Sequence, residues 1–172
     1  MIGWSRNRIV KKIIHLKNII SEDFVNYRYP SMFLITAHCN WKCCTEANIS
    51  ITECQNQPLV NVNTKSFFIE DIIGSYLKND ITKAVVFGGL EPFLQFNEML
   101  DFIEAFREKS NDEIIIYTGY YKDELMDEIE ELRFYKNIII KFGRFIPNQE
   151  KHLDSVLGVN LASNNQYAER IS

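Results

Sequence analysis

Residues 32–56, MFLITAHCNWKCCTEANISITECQN, decide how this chain reads. Met32 to Ala37 is an uncharged, mostly apolar run, the pattern of a strand buried on both faces. It leads directly into Cys39, Cys43 and Cys44, and Cys54 closes the stretch. These are all the cysteines of the chain. Thiols gathered at the end of a strand bind or react more often than they merely pack. What they hold therefore sets the chemistry.

Outward from this stretch, strand and helix patterns alternate. Helices are expected over 66–77 (with Ser66 as a candidate N-cap), 97–109 and 122–134. Strands are expected over 84–87, 113–117, 137–142 and 155–161, and the polar run Ser-Asn-Asn-Gln at 163–166 closes the last of them. The runs Val85-Val86-Phe87 and Ile114-Ile115-Ile116 are apolar on both faces, as in a parallel sheet covered by helices. Upstream, Ile9, Ile13, Leu16 and Ile20 fall on one stripe of a helix over 6–20 with a basic opposite face. Alternation with short loops implies an α/β fold. The expectation is a partial, open β/α barrel of about five to six mostly parallel strands, too few to close a full barrel. An open doubly wound sheet is the other possibility. The chain reads as a single domain over 1–172, with 1–30 as an N-terminal helical extension.

The 172 residues suffice to bury a sizeable core without a staple. A formal net charge of −4 gives no argument for nucleic acid as a partner. Charge is uneven: residues 1–28 carry six Lys/Arg against two Asp/Glu, and residues 91–131 carry thirteen Asp/Glu against three Lys/Arg. Solvated helical faces account for this, with a basic docking patch as the sharper alternative. No uninterrupted apolar segment reads as a signal peptide or a membrane span. The chain is expected to be cytoplasmic, without a membrane partner. In a reducing cytoplasm clustered cysteines point to metal or redox chemistry and away from structural disulfides.

Polar and glycine-rich residues gather at the carboxyl end of every expected strand, the binding edge of α/β folds. They are the cysteines, Gly88-Gly89-Leu90-Glu91-Pro92, Tyr117-Thr118-Gly119-Tyr120, Gly143-Arg144 and Ser163-Asn164-Asn165-Gln166. Turn residues alone would explain some of these ends, but not thiols and a carboxylate together.

On these residues the chain, from 32 to 172, resembles the radical S-adenosylmethionine (SAM) superfamily, and within it the anaerobic ribonucleotide reductase activating proteins, which are glycyl-radical enzyme activases. Cys39-x3-Cys43 resembles the opening of the family's C-x3-C-x2-C motif, and Cys54-Gln55-Asn56 resembles its end. The segment 88–92 resembles the strand end that holds the SAM amino group. The segments 116–120 and 163–166 are similar to parts of the activating proteins. The strict spacing places a cysteine at 46, where this chain has Glu46. Either an insertion displaces the last cysteine, making Cys39, Cys43 and Cys54 the ligands, or Cys44 serves. Gln55-Asn56 favours the insertion.

The resemblance implies a [4Fe-4S] cluster held by three thiolates, one iron staying open for SAM. It implies Gly88, Gly89 and Glu91 at the methionine ammonium, Arg144 and more weakly Lys141 at its carboxylate, and Ser163 and Asn164 at the ribose hydroxyls. It also implies a glycyl-radical enzyme as partner and a flavodoxin or ferredoxin as electron donor. Trp41 is a candidate shield for the cluster, and His15, His38 and His152 are read as bystanders. A radical SAM enzyme acting on a small molecule or peptide, and a non-catalytic metal-binding module, are the alternatives.

Overall fold

A computed structural model describes residues 11–172. Its centre is four parallel strands: β2 (Ser31–Thr36), β4 (Ala84–Gly88), β5 (Glu113–Tyr117) and β6 (Ile138–Phe142). Every residue of β4 and β6 is buried, as expected for interior strands, and Lys141 is the one charged residue among them. Two further strands, β1 (Ile13–Asp23) and β3 (Lys65–Phe68), add antiparallel beyond β2, and β9 (Tyr167–Arg170) adds antiparallel beyond β6. The seven strands run in the order β3-β1-β2-β4-β5-β6-β9.

This corrects the fold expectation. The described residues form a mixed seven-stranded sheet, not a partial β/α barrel of mostly parallel strands, and residues 11–30 of the expected N-terminal helical extension contain no helix. Residues 13–20 of the expected helix belong to β1, and residues 6–10 lie outside the described residues. The physical reason is the competing period-two pattern: Ile14 and Leu16 are buried, whereas Ile13 and Ile20 of the supposed stripe are exposed. Similarly, Lys65–Phe68 is strand, and helix α2 (Ile69–Leu77) starts after it with Phe68, not Ser66, at its N-cap.

The remaining helices are α1 (Lys42–Ala47), α3 (Phe96–Arg107) and α4 (Met126–Leu132). α2, α3 and α4 pack on one face of the sheet, where Phe87, Phe102, Phe106, Ile116 and Ile140 share a continuous core. Burying each such side chain contributes about 1.5–3 kcal/mol. The other face is covered by Tyr27 and by a hairpin of β7 (His152–Asp154) and β8 (Val159–Leu161). The expected single strand over 155–161 is broken because Asp154 Oδ1 accepts from the N–H groups of Val156 and Leu157, and Gly158 (φ 72°) turns the chain back. None of the helices among the described residues is long and apolar enough to cross a membrane.

The register places the carboxyl ends of the parallel strands at one level: Ile35 pairs with Gly88, Phe87 with Ile116 and Tyr117 with Lys141. Gly89 then leaves β4 at φ 83°, where a Cβ would stand 2.7 Å from Ile35 Cγ2. Strain and overpacking act together there, so Gly89→Ala is expected to destabilise by about 2–4 kcal/mol. Urea denaturation tests this, and a loss under about 1 kcal/mol would show that the turn relaxes freely.

Candidate metal centre

Ala37 leaves β2 with its N–H donated to Gln95 Oε1 at 2.8 Å, and Glu91 N donates to His38 O at 2.7 Å. The cysteine loop is thereby tied to the end of β4. Asn40 Oδ1 accepts from Lys42 N at 3.2 Å, and Trp41 enters α1 at φ 59°. Cys43 and Cys44 lie on this six-residue helix. Asn48, at φ 51°, ends it, its short polar side chain tolerating the left-handed region. Two 3-10 turns, Ile51–Glu53 and Gln57–Asn61, bring the chain back, with Cys54 capping the first. Lys17 Nζ, reaching from β1, donates to Val62 O at 2.8 Å and anchors the return.

This excursion returns Cys54 to within electrostatic reach of Cys39 and Cys44. Burial pushes the Cys39 thiol up to about 11, and Glu91, Cys43 and Cys54 are near enough to add to that effect. Burial likewise raises Cys43, while Lys141 and Arg144 oppose the rise. Cys44 is buried, which raises its thiol first, and the nearby Cys54 and Cys43 add to the rise. Trp41 N donates to Cys39 Sγ at 3.4 Å. Among the described residues no three His, Cys, Asp or Glu side chains converge as a single metal ion requires. An iron–sulfur cubane spreads its ligands over separate corners, and thiolates are the donors it takes. The donor set fits that group. So does Gly119, because a Cβ there would stand 2.8 Å from Cys43 Sγ and close the approach.

Cys39, Lys42, Cys43, Glu91, Gly119 and Tyr120 line one narrow cleft. Glu91 is only 7% exposed. Its carboxylate accepts from Phe93 N at 3.2 Å, Thr118 Oγ1 at 2.8 Å and Gly119 N at 2.9 Å. Burial raises its pKa, and these bonds and Lys141 work against the rise. Lys141 is buried beneath the cleft, its Nζ donating to Gly143 O at 2.9 Å and Thr118 O at 3.3 Å. Burial lowers it to about 8, with Cys43 and Glu91 opposing. A roomier hollow of about 340 Å3, lined by Tyr29, Lys83 and Asn137 among others, lies at the opposite ends of the strands and holds no thiol.

The other residues singled out in the sequence lie as follows. Gly88 ends β4, its carbonyl accepting from Thr36 Oγ1 at 3.0 Å. The Arg144 guanidinium is held in a fork by Glu124, at 2.6 and 2.7 Å, and lies over the Tyr121 ring at 4.5 Å. Ser163 is fully buried, its hydroxyl donating to Arg144 O at 3.4 Å. Asn164 is exposed, and Asn165 instead reaches Arg144 O at 2.9 Å. Sequence reasoning assigned no role to Lys42, Gly119 or Glu124. Gly119 is marked in the sequence only as part of the strand-end segment 117–120, and its closeness to Cys43 needs the fold to be seen. Glu124 carries no such signal, since its partners come from two other elements.

The Arg144 fork holds the Glu124 carboxylate down at about 2. A lowered folded-state pKa contributes stability that is present above the unfolded value of about 4.3 and is lost as pH falls toward 2. Glu124→Gln is therefore expected to flatten the acid limb of the stability curve by about 1 kcal/mol, the scale of a solvent-screened pair. Denaturation midpoints at neutral and acid pH test it, and an unchanged pH 7-to-3 difference would remove the pair from the stability balance.

The family model described as "4Fe-4S single cluster domain" matches residues 29–167, a span that includes every cysteine and all of β2, β4, β5 and β6. No curated protein is similar enough to count as a match.

Proposed function

The chain belongs to the 4Fe-4S single cluster domain family, and on that premise we propose that it is a radical SAM protein that generates a glycyl radical on a partner enzyme. It carries a domain that binds one [4Fe-4S] cluster. The proposed ligands are Cys39, Cys43 and Cys54, with Cys44 as a buried neighbour. When bound, such a cluster supplies the single electron that cleaves SAM to methionine and a 5′-deoxyadenosyl radical.

The observation that carries the reading is Glu91, a buried carboxylate in the same cleft as Cys39 and Cys43. Its fixed position suits it to accept from the ammonium of an amino acid, a charge-assisted bond. Gly88 and Gly89 keep the neighbouring backbone free of Cβ atoms. Thr118 and Gly119 fix the Glu91 oxygens. Lys141, beneath the cleft, offsets the negative charge of thiolates and carboxylate. Ser163, whose hydroxyl is turned to backbone, and exposed Asn164 are retained as ribose contacts, and Arg144 as the carboxylate contact, only if ligand binding frees them from their present partners. The cleft has room for about 20 Å3, a water and not a nucleoside. A bound nucleoside must lie across its mouth or displace the 39–62 segment.

The small cleft also favours a substrate that completes the site from outside, in keeping with a protein partner and a flavodoxin or ferredoxin as donor. A second reading, a cluster-binding interaction module without catalysis, draws on the engagement of Arg144 by Glu124. Anaerobic reconstitution with iron and sulfide, followed by reduction with SAM, separates the two. The activase reading predicts 5′-deoxyadenosine, more of it with a glycyl-radical enzyme present. A reduced, loaded protein that leaves SAM intact in every mixture would sink it.

A further inference from the structure

We propose that Glu46 and Arg144 form a latch that fixes the cysteine-bearing helix α1 against the strand ends, so that Glu46 serves as an anchor and not as a ligand. The inference rests on the cluster site just described and concerns its ligand-free state, in which Arg144 is engaged by Glu124 and by Glu46, a residue that site does not use. Glu46 stands where the strict cysteine spacing would place its third thiol.

Helix α1 needs such an anchor. It has six residues, no side-chain bond at its N-cap and one buried residue, Cys44. Helices this short do not persist on their own hydrogen bonds. Apolar packing offers α1 little, so polar contacts to neighbouring elements must hold it.

Arg144 is suited to do so. Its side chain is 4% exposed and rooted at the end of β6. Both Nη atoms are taken by Glu124, and Nη1 also donates to Gly119 O at 3.3 Å. Nε is the remaining edge of the fork, and Glu46 Oε2 lies 2.5 Å from it. The contact pairs the charges, although the Nε–H is bent away from a linear hydrogen bond. Lys42 is four residues before Glu46, hence on the same helical face. It pairs with Glu124, the carboxylate that grips Arg144. One face of α1 thus closes a chain of alternating charges, Lys42–Glu124–Arg144–Glu46. Cys43, one residue around the helix from Lys42, lies instead against Gly119.

Hydrogen exchange of the cluster-free protein reads the latch directly. The amides of Thr45 and Ile49, bonded to Trp41 O and Cys44 O at 3.0 Å each, report on α1. Glu46→Gln is expected to speed their exchange roughly 3- to 10-fold with little change in the sheet amides. Arg144→Lys, which keeps the charge but loses the fork, should do the same. The double variant should exchange no faster than the faster single, because Arg144→Lys already removes the Glu46 contact along with the rest of the fork. Glu46→Asp should recover part of the protection. Uptake of iron and sulfide should slow in step with exchange, while the electron paramagnetic resonance signal of the loaded protein stays that of the wild type. Wild-type exchange in Glu46→Gln would overturn the latch, as would losses in the two singles that simply add. An altered resonance signal with unchanged exchange would make Glu46 a ligand, and also overturn it. If the wild type takes up no iron and sulfide, the site reading fails, and the exchange comparison still decides the latch by itself.

Discussion

Cys39→Ser, Cys43→Ser and Cys54→Ser are each expected to leave anaerobic reconstitution with about 10-fold less iron per chain than the wild type, or worse, while Cys44→Ser keeps its cluster. Loss of partners outside the ligand shell already costs roughly 10- to 100-fold in metal affinity, so loss of a ligand costs no less. Serine preserves size but offers a poor donor to iron at neutral pH. The discriminating pair is Cys54 and Cys44, since each is a neighbour of the other. Iron and sulfide analysis together with the reduced-state resonance spectrum gives the answer. Cluster retention in Cys54→Ser and loss in Cys44→Ser would shift the third ligand onto α1 and dismiss the 45–53 excursion as a ligand-bearing insertion.

Phe102→Ala carries the largest expected effect on stability, about 3–5 kcal/mol. Phe102 is fully buried on α3. Its ring meets Phe87 of β4 edge-on, with centroids 5.3 Å apart, and stacks on Phe106 at 5.7 Å. Truncation opens a cavity between helix and sheet and removes both aromatic contacts. Native domains hold only about 5–15 kcal/mol in total, so the variant should lie near the limit of folding at physiological temperature. The denaturation midpoint should drop while the slope is unchanged. A loss below about 1 kcal/mol would mean that α3 is not packed on β4 as described.

The legible parts of the sequence were those whose pattern admits one reading. Met32 to Ala37, Val85 to Phe87 and Ile114 to Ile116 cannot be half-exposed strands or surface helices, and they form the centre of the sheet. α3 was legible from Met99, Ile103 and Phe106, which are buried together at helical spacing. β1 was not, because Ile13, Leu16 and Ile20 satisfy a helical stripe while Ile14 and Leu16 satisfy a strand. The partner that decides between them, Ser31–Thr36 in antiparallel pairing, is invisible to local periodicity. β3 failed for the same reason: its four residues become strand only by pairing with Ile13–Leu16. β9 was hidden because its pairing with β6 follows a polar run that reads as an end. At the site, the four cysteines and Glu91 announced themselves by residue type. The setting of Arg144 did not, since Glu46 and Glu124 reach it from separate elements.

The parallel pairing of β2 with β4 has a consequence for how the protein matures. Those strands are separated by the whole excursion that carries the cysteines, so their contact is distant along the chain. Distant pairings form late and slowly. The helical layer and sheet nonetheless hold a core of a size that does not depend on a metal for its existence. Small zinc modules that collapse only around their ion follow the opposite order. From a core of that size we expect the polypeptide to fold without iron and to take it up afterwards. A chelator should accordingly bleach the protein without melting it.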